Sequence, residues 1–304
     1  MTMTGKRHNF LNRFEAGFDT EGRILALRHH LAGQCGNSPD LSDAIVDRAM
    51  FHSDNAYFLP HAEVTGVRCK SNTVSNTAFR GFGGPQGMIA MENVIEEIAF
   101  ARNLDPLDVR LRNLYGATDR NVTHYHQRVE GFNLQPIMER LAETSEYRER
   151  RAQTRQFNQQ NRILKKGIAL TPVKFGISFT ATQLNQAGAL LQLYTDGSLL
   201  LNHGGTEMGQ GLFVKVAQIV SATLGIGVEA IRVSATRTDK VPNTSPTAAS
   251  SGTDLNGMAA MLAAQELRAR LITHIEVCCH VTLKPLAWTV PVPVQVISIL
   301  TGPH

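Results

Sequence analysis

The sequence predicts a mixed α+β fold in two parts that meet near residue 160. Apolar residues recur every three to four positions from Met88 to Ile98, the spacing of one helix face. A Thr-Asp-Gly turn at residues 195–197 separates two apolar runs and predicts a β-hairpin. Residues 139–166 are highly charged and poor in apolar side chains, which is typical of a surface helix followed by a connection, so we place the boundary there.

The composition is that of a globular protein. The chain has 304 residues, of which 42% are hydrophobic, and a formal net charge of +4. This length suits one large domain or two ordinary ones. The basic residues are scattered, so nucleic acid is not an expected partner. No signal-peptide core and no membrane-spanning run occur, so we expect a cytoplasmic protein without a membrane partner. The four cysteines lack Cys-x-x-Cys spacing, so a zinc or iron–sulfur site on this chain is not expected.

Turn and capping signals predict most elements of the first part. A turn at residues 19–22 joins two expected strands. Residues 41–60 are predicted to be helical and then extended. Pro85 suits the first turn of a helix over residues 85–102. Asp105, followed by proline, is a strong N-cap for a helix over residues 106–114.

The second part is predicted to begin with extended chain and to end with a helix. Residues 167–179 are predicted as one extended stretch, ahead of the hairpin around residues 195–197. A strand is expected near residues 231–235. Helices are expected at residues 212–224 and, roughly, 254–271.

The most informative stretch is residues 76–87, Asn-Thr-Ala-Phe-Arg-Gly-Phe-Gly-Gly-Pro-Gln-Gly. Its glycines permit positive φ and close approach, and it leads into the helix that follows Pro85. A helix N-terminus presents N–H groups and a positive dipole end to an anion. Arg80 adds a charge and Phe82 a flat apolar face. The alternative is a helix-entry loop whose phenylalanines fill the core.

Two further loops of small residues precede helices. Residues 204–211, Gly-Gly-Thr-Glu-Met-Gly-Gln-Gly, match neither a P-loop nor a dinucleotide fingerprint, but they suit a phosphate. Residues 241–252 contain Ser250 and Ser251, whose hydroxyls can donate to a phosphate or a pterin. The alternative for the latter loop is an ordinary capped helix start.

Together these three loops resemble signatures of the molybdenum-binding part of xanthine dehydrogenases and their aldehyde oxidase relatives. The resemblance runs from about residue 4 to about residue 271. It implies parts of two molybdopterin-binding domains, at residues 1–160 and 161–272, followed by an unrelated apolar tail at residues 273–304. It also implies that the chain is the central fragment of a larger subunit.

The resemblance implies roles for particular residues. Arg48 would bind the substrate oxygen and confer preference for purines, whereas from spacing alone it is a solvated helix arginine. Phe82 and Phe179 would hold the substrate ring and Thr180 would hydrogen-bond it; for Phe175, substrate contact and core packing both stay open. Arg80 and Ala249 would lie nearest the molybdenum without being side-chain ligands. The full cofactor-binding set is Arg80, Met208, Gly209, Gln210, Ala249 and Ser250.

The implied activity is hydroxylation of a purine ring carbon, such as that of hypoxanthine or xanthine, with oxygen from water. The cofactor would be molybdenum-molybdopterin, with 2Fe–2S clusters, FAD and NAD on other domains or subunits and a dimer of heteromers as the assembly. The family's general-base glutamate lies in a Gly-Glu-Pro-Pro-type segment that is absent here, so no catalytic residue is named and the isolated chain is expected to be inactive. Alternatives are a non-catalytic pterin-binding or subunit-interaction fragment, a misfolding gene remnant, and aldehyde oxidase-type specificity.

Overall fold

The computed structural model describes residues 3–131, 133–237, 239–240 and 243–279. The chain divides into two compact units, the first ending at Gly176 and the second beginning at Ile177. The boundary near residue 160 stays a prediction about domain limits. The helices and strands of both units give the mixed α+β architecture that the sequence predicts. Among the described residues no helix combines the length and apolar character needed to cross a membrane.

The first unit contains a three-stranded sheet in the order β1-β2-β3. β1 pairs with β2 in antiparallel fashion and β2 pairs with β3 in parallel. The turn between the first two strands forms where expected, because the Asp19 carboxylate accepts hydrogen bonds from the N–H groups of Glu21 and Arg23, both at 2.9 Å. The strands are β1 (Phe10–Phe18), β2 (Ile24–Gly36) and β3 (Ala62–Lys70).

Five helices complete the first unit as it is described, and two of them begin where the sequence predicts. α2 starts beside Pro85, and Asp105 caps α3 by accepting a hydrogen bond from the N–H of Leu107 at 2.9 Å. The apolar face of α2 is buried in the main core of this unit. The helices are α1 (Ser42–Phe51), α2 (Gly84–Arg102), α3 (Pro106–Asn113), α4 (Leu134–Thr144) and α5 (Tyr147–Gln160).

α1 and α2 touch through backbone atoms. A Cβ atom placed on Gly83 would lie 1.9 Å from the carbonyl oxygen of Ile45, and one placed on Gly87 would lie 2.1 Å from the carbonyl oxygen of Ala49. Only glycine allows this approach, and Gly83 also has a positive φ of 94°. The loop at residues 76–87 is thereby held against α1.

The second unit pairs a smaller sheet with two helices. β4 and β5 form the predicted hairpin, and β5 pairs in parallel with β6. Leucines of β5 pack against apolar residues of both helices, forming a core separate from those of the first unit. The elements are β4 (Ala189–Leu193), β5 (Leu199–His203), α6 (Leu212–Leu224), β6 (Ile231–Val233) and α7 (Gly252–Cys279).

Residues 167–179, predicted to be extended, belong to neither of the described sheets, and the Asn55 amide donates to the carbonyl oxygen of Pro172 at 3.0 Å. The expected end of the last helix is wrong. α7 runs past residue 271 to Cys279, since no proline or glycine interrupts that stretch. The rest of the predicted apolar tail, residues 280–304, lies outside the described residues.

Candidate functional site

Arg48 lies on α1 and is buried. Its Nη1 atom donates a hydrogen bond to the carbonyl oxygen of Gly176 at 2.6 Å, and its guanidinium carbon lies 5.4 Å from the centre of the Phe175 ring. Burial lowers the pKa of Arg48, but a guanidinium stays protonated at any physiological pH. The interpretation of Arg48 as a solvated helix arginine is therefore wrong, because tertiary contacts bury a position that spacing alone would leave in water.

His52 joins this arrangement immediately after α1. The N–H of Gly176 donates to Nε2 of His52 at 3.0 Å, so Nε2 must be the unprotonated nitrogen. Nδ1 then carries the hydrogen and donates to the carbonyl oxygen of Arg48 at 2.8 Å. Burial lowers the pKa of His52, in agreement with a neutral ring. Sequence reasoning did not single out His52, although its spacing four residues after Arg48 places both on one side of a helix.

Phe175, for which the sequence left two interpretations open, lies at this site instead of in the core. Its ring is 4.9 Å from that of His52, and a Cβ atom on Gly84 would lie 2.7 Å from Phe175 Cε2. The residue keeps 37% of its surface exposed. It therefore forms a half-open aromatic wall between the guanidinium of Arg48 and the first turn of α2.

Arg80 and Phe82 lie in the loop that leads into α2. Arg80 is exposed, and its carbonyl oxygen accepts a hydrogen bond from Nη2 of Arg7 at 2.6 Å. Phe82 is half-buried and has a positive φ of 51°, which is strained for a side chain of this size. The charge and the flat face that the sequence predicts are thus displayed at the start of α2 and are not absorbed into a core.

A buried ionic cluster holds the segment before Phe175. Asp54, with no exposed side-chain surface, accepts hydrogen bonds from Lys174 Nζ at 2.6 Å and from the Tyr115 hydroxyl at 2.5 Å. Burial raises the pKa of Asp54, but His124 and Lys174 together bring it below its usual range. Lys174 also lies over the rings of Tyr115 and Tyr125, 5.1 and 5.5 Å from their centres.

In the second unit, the loop before α6 is closed by its own carboxylate. Oε1 of Glu207 accepts hydrogen bonds from the N–H groups of Gly209 and Gly211 at 2.8 and 3.0 Å, and Oε2 accepts from Phe213 at 3.1 Å. The hydrogen bond from Phe213 is the main cause that lowers the pKa of Glu207. A carboxylate of the chain therefore occupies this terminus, and the phosphate site expected at residues 204–211 stays a prediction.

The remaining polar groups of this loop bond locally. Oε1 of Gln210 accepts from the N–H of Met208 at 2.6 Å, and its Nε2 donates to the carbonyl oxygen of Thr206 at 2.8 Å. The N–H of Thr206 donates to Oγ1 of Thr247 at 2.8 Å, so the loops predicted at residues 204–211 and 241–252 lie side by side. Met208 projects outward with 66% of its surface exposed.

Ala249 and Ser250 are consecutive residues with left-handed backbones, at φ of 54° and 58°. Such a pair is costly for residues with side chains, and strain of this kind is concentrated at binding and catalytic sites. Ser178, also left-handed at φ of 75°, donates its N–H to the carbonyl oxygen of Ala249 at 2.8 Å. The structure thus brings residue 178 next to the third predicted loop.

Phe179 follows directly and is held on both sides by one amide. Its N–H donates to Oδ1 of Asn185, and its carbonyl oxygen accepts from Nδ2, both at 2.9 Å. Its side chain is half-buried, and Thr180 is exposed. Phe179 and Ala249 therefore share one part of the second unit, while Arg48 and Phe82 belong to the first. A slot between Phe82 and Phe179 stays a prediction.

Two family models match the chain, each described as a molybdopterin cofactor-binding domain. One covers residues 1–114 and the other residues 140–290. The chain belongs to the molybdopterin cofactor-binding family. The second match begins before the end of the first compact unit at Gly176, and the predicted domain limits stay predictions.

The curated proteins that are similar to this chain include xanthine dehydrogenases. The chain is 49% identical over 271 residues to xanthine dehydrogenase/oxidase of Felis catus and of Gallus gallus, and 46% identical to xanthine dehydrogenase 1 of Arabidopsis thaliana. Each match covers 89% of this chain and 20% of the relative. The chain thus spans about a fifth of the length of these relatives.

Solved structures of a CO dehydrogenase and of an aldehyde oxidoreductase share the fold. Reconstituted CO dehydrogenase from Oligotropha carboxidovorans superposes with a TM-score of 0.81 at 20% identity, over 92% of this chain and 37% of that one. An aldehyde oxidoreductase from Desulfovibrio desulfuricans superposes with a TM-score of 0.73 at 24% identity, over 86% and 28%. At these identities the comparison establishes the fold alone.

The second unit offers a surface that fits the pterin part of the family's cofactor. The loop that Glu207 closes presents Met208 to solvent, and additional atoms at Gly209 and Gly211 would meet nothing within 4 Å. Ser250, in the loop at residues 241–252, is also exposed and has a strained backbone. Among the described residues no group of three His, Cys, Asp or Glu side chains is placed to hold a metal ion.

Proposed function

We propose that this chain provides the molybdopterin-binding and purine-positioning part of a xanthine dehydrogenase. The observation that carries the purine assignment is the buried Arg48 guanidinium, held by the Gly176 carbonyl beside the half-open face of Phe175. Hypoxanthine and xanthine are flat purines that bear a carbonyl oxygen, so either can accept a charged hydrogen bond while its ring lies along an aromatic wall. A simple aldehyde makes less use of either feature, which is why we favour a purine.

The bound molybdenum-molybdopterin cofactor would supply the transfer of oxygen from water to the ring carbon. Phe82, Phe179 and Thr180 would orient the substrate ring. The residues proposed to hold the cofactor are exposed or stand on strained backbone, and are Arg80, Met208, Gly209, Gln210, Ala249 and Ser250. Of these, Arg80 and Ala249 are proposed to lie nearest the metal. The iron–sulfur clusters, FAD and NAD are assigned to other domains or subunits of a cytoplasmic dimer of heteromers acting in purine catabolism.

We expect Arg48→Ala to reduce purine turnover more than aldehyde turnover. The measurement uses the chain joined to the flanking segments of a xanthine dehydrogenase relative, and compares kcat/KM for hypoxanthine and for an aromatic aldehyde. Loss of one charged hydrogen bond corresponds to about 1–3 kcal/mol, or roughly a 5- to 150-fold loss on the purine alone. Arg13→Ala, at an exposed position on β1, is the matched control. An equal loss on both substrates would contradict the specificity role.

We also expect the 304 residues by themselves not to oxidise xanthine. The chain has no Gly-Glu-Pro-Pro segment, and the only glutamates beyond Gly252 are Glu266 and Glu276. General-base catalysis contributes typically about 10²–10⁴-fold, and none of the residues proposed above to contact the substrate or the cofactor is a base. The assay is xanthine-dependent dye reduction after expression in a host that makes the cofactor, together with molybdenum content. Metal without turnover favours the pterin-binding alternative, and clear turnover would contradict the expectation.

A further inference from the structure

Both polar backbone groups of Gly176 are held by α1 or by the residue that follows it. The N–H donates to Nε2 of His52 at 3.0 Å, and the carbonyl oxygen accepts from Nη1 of Arg48 at 2.6 Å. Nδ1 of His52 in turn donates to the backbone carbonyl oxygen of Arg48 at 2.8 Å, which completes a cycle of hydrogen bonds through the three residues. Three hydrogen bonds therefore connect Arg48, His52 and Gly176, one of them through the backbone carbonyl of Arg48.

We propose that His52 is a positioning residue, which holds the Arg48 guanidinium in place by fixing the backbone of Gly176. The proposal rests on the purine-binding role assigned above to Arg48. His52 does not donate to the guanidinium; it orients the residue whose carbonyl oxygen the guanidinium binds. A bidentate donor recognises a flat acceptor only when its plane is fixed, so the imidazole contributes to specificity indirectly.

Glycine is the reason that such a fixing contact is needed at this position. Gly176 has no side chain to restrict its backbone, and an added Cβ atom would make only ordinary contacts with His52, at 3.7 and 3.8 Å. Crowding therefore does not hold the residue. Without the bond to Nε2, rotation about its backbone can turn the carbonyl oxygen away from Arg48. Phe175, one residue earlier, would lose its place against His52 in the same movement.

The arrangement requires a neutral imidazole. A proton on Nε2 would face the N–H of Gly176, and two donors cannot bond each other. The charged groups around the ring are Arg48 and Lys174, which disfavour that proton, and Asp54, which favours it. Burial is the largest influence and also disfavours it, so the pKa of His52 is lowered and the contact is intact at neutral pH. Acid should therefore release Gly176 and, with it, the guanidinium.

The test uses the whole 304-residue chain labelled with ¹⁵N in histidine and arginine. At neutral pH we expect the His52 imidazole in its Nδ1–H form and the Arg48 guanidinium hydrogens protected from exchange with water. That protection should disappear on acidification with the midpoint of the His52 titration. His52→Ala should exchange about tenfold faster at neutral pH, because one hydrogen bond that orders the site is lost.

His52→Gln separates positioning from general structural support. Its amide oxygen can accept from the Gly176 N–H but cannot be protonated in the same range, so Arg48 should stay protected in acid. His61→Gln, at an exposed histidine of the same unit, should keep the wild-type pH profile. If His52→Ala does not fold, His52→Gln decides between the outcomes. Arg48 guanidinium hydrogens that stay protected from exchange in acid support the proposal, and loss of that protection at the same pH as in the wild type overturns it. Unchanged protection in a folded His52→Ala also overturns it.

Titration of hypoxanthine into the same samples distinguishes this proposal from the proposed function. If exchange at Arg48 depends on His52 as expected but Arg48→Ala does not alter purine binding, the positioning role stands and the purine role fails. If Arg48→Ala weakens purine binding while exchange at Arg48 is indifferent to His52, the purine role stands and this inference fails.

Discussion

The Arg48 site of the first unit and the Glu207 loop of the second both use a charged side chain to bind backbone groups. The two side chains differ in burial and in whether they donate or accept the hydrogen bonds. Arg48 is buried and donates to the carbonyl oxygen of Gly176, with its surroundings held by His52 and by the Asp54–Lys174 pair. Glu207 is outside the core and accepts three backbone N–H bonds at the start of α6. A buried charge without its partners is costly, whereas water can replace the partners of an exposed one. The first site should therefore be coupled to global stability, and the second only to the shape of its loop.

The largest effect is expected from Asp54→Ala. This change leaves Lys174 in a mostly buried position without its carboxylate, which typically destabilises by about 3–5 kcal/mol. The measurement is chemical denaturation, with amide exchange in α1 as the local probe. Glu15→Ala removes an exposed partner of Arg28 and serves as the control, for which we expect a loss of about 0–1 kcal/mol. Similar losses for the two variants would remove the basis for the contrast between buried and exposed charge.

A smaller loss is expected from Gly87→Ala, which tests the contact that holds the Phe82 loop against α1. The new methyl group would lie 2.1 Å from the carbonyl oxygen of Ala49, so the helices must separate, at a typical overpacking cost of about 1–3 kcal/mol. Gly167→Ala, where an added Cβ atom meets nothing within 4 Å, is the matched control. Thermal melting of the two variants provides the comparison. A Gly87→Ala protein as stable as the control would show that the close contact between Gly87 and the Ala49 carbonyl does not contribute to stability.

The pH dependence should differ between the two regions. Burial lowers the pKa of His52 and lowers that of His29 to about 4, so the native first unit binds fewer protons than the unfolded chain. Their stabilising contribution is complete above about pH 6.5 and is lost as the pH falls toward 4. The pKa of Glu207 is lowered, so its carboxylate is protonated, and its loop opens, only below the ordinary glutamate pKa of about 4.3.

Amide exchange against pH measures both regions in one experiment. Residues of α1 should lose protection between about pH 6.5 and 4, and Gly209, Gly211 and Phe213 only below that range. Glu207→Ala should accelerate exchange at those three amides even at neutral pH while leaving α1 unchanged, and Glu266→Ala on the exposed face of α7 is its control. Loss of protection in α1 and in the Glu207 loop at the same pH would show that the two regions open together, contrary to what their different burial indicates.

Local signals were sufficient wherever the determining contacts are close in sequence. The Asp105 cap, the proline at the start of α2 and the turn at residues 195–197 each act within a few residues, and all three elements form where expected. The three loops likewise carried the family assignment, since their residue order is itself the signature. The end of α7 was misjudged because a change in resemblance is not a helix-stopping signal.

The sequence by itself determined the mixed fold, the helix starts and the membership in a molybdopterin-binding family. Only the tertiary structure decided that Arg48 is buried, that Phe175 lies beside it, and that Glu207 fills the terminus expected to hold phosphate. The physical reason for the first two is distance along the chain: Arg48 and Gly176 are 128 residues apart, and no local pattern encodes their meeting. For Glu207 the reason is competition, because a loop suited to an anion from outside is equally suited to a carboxylate of its own.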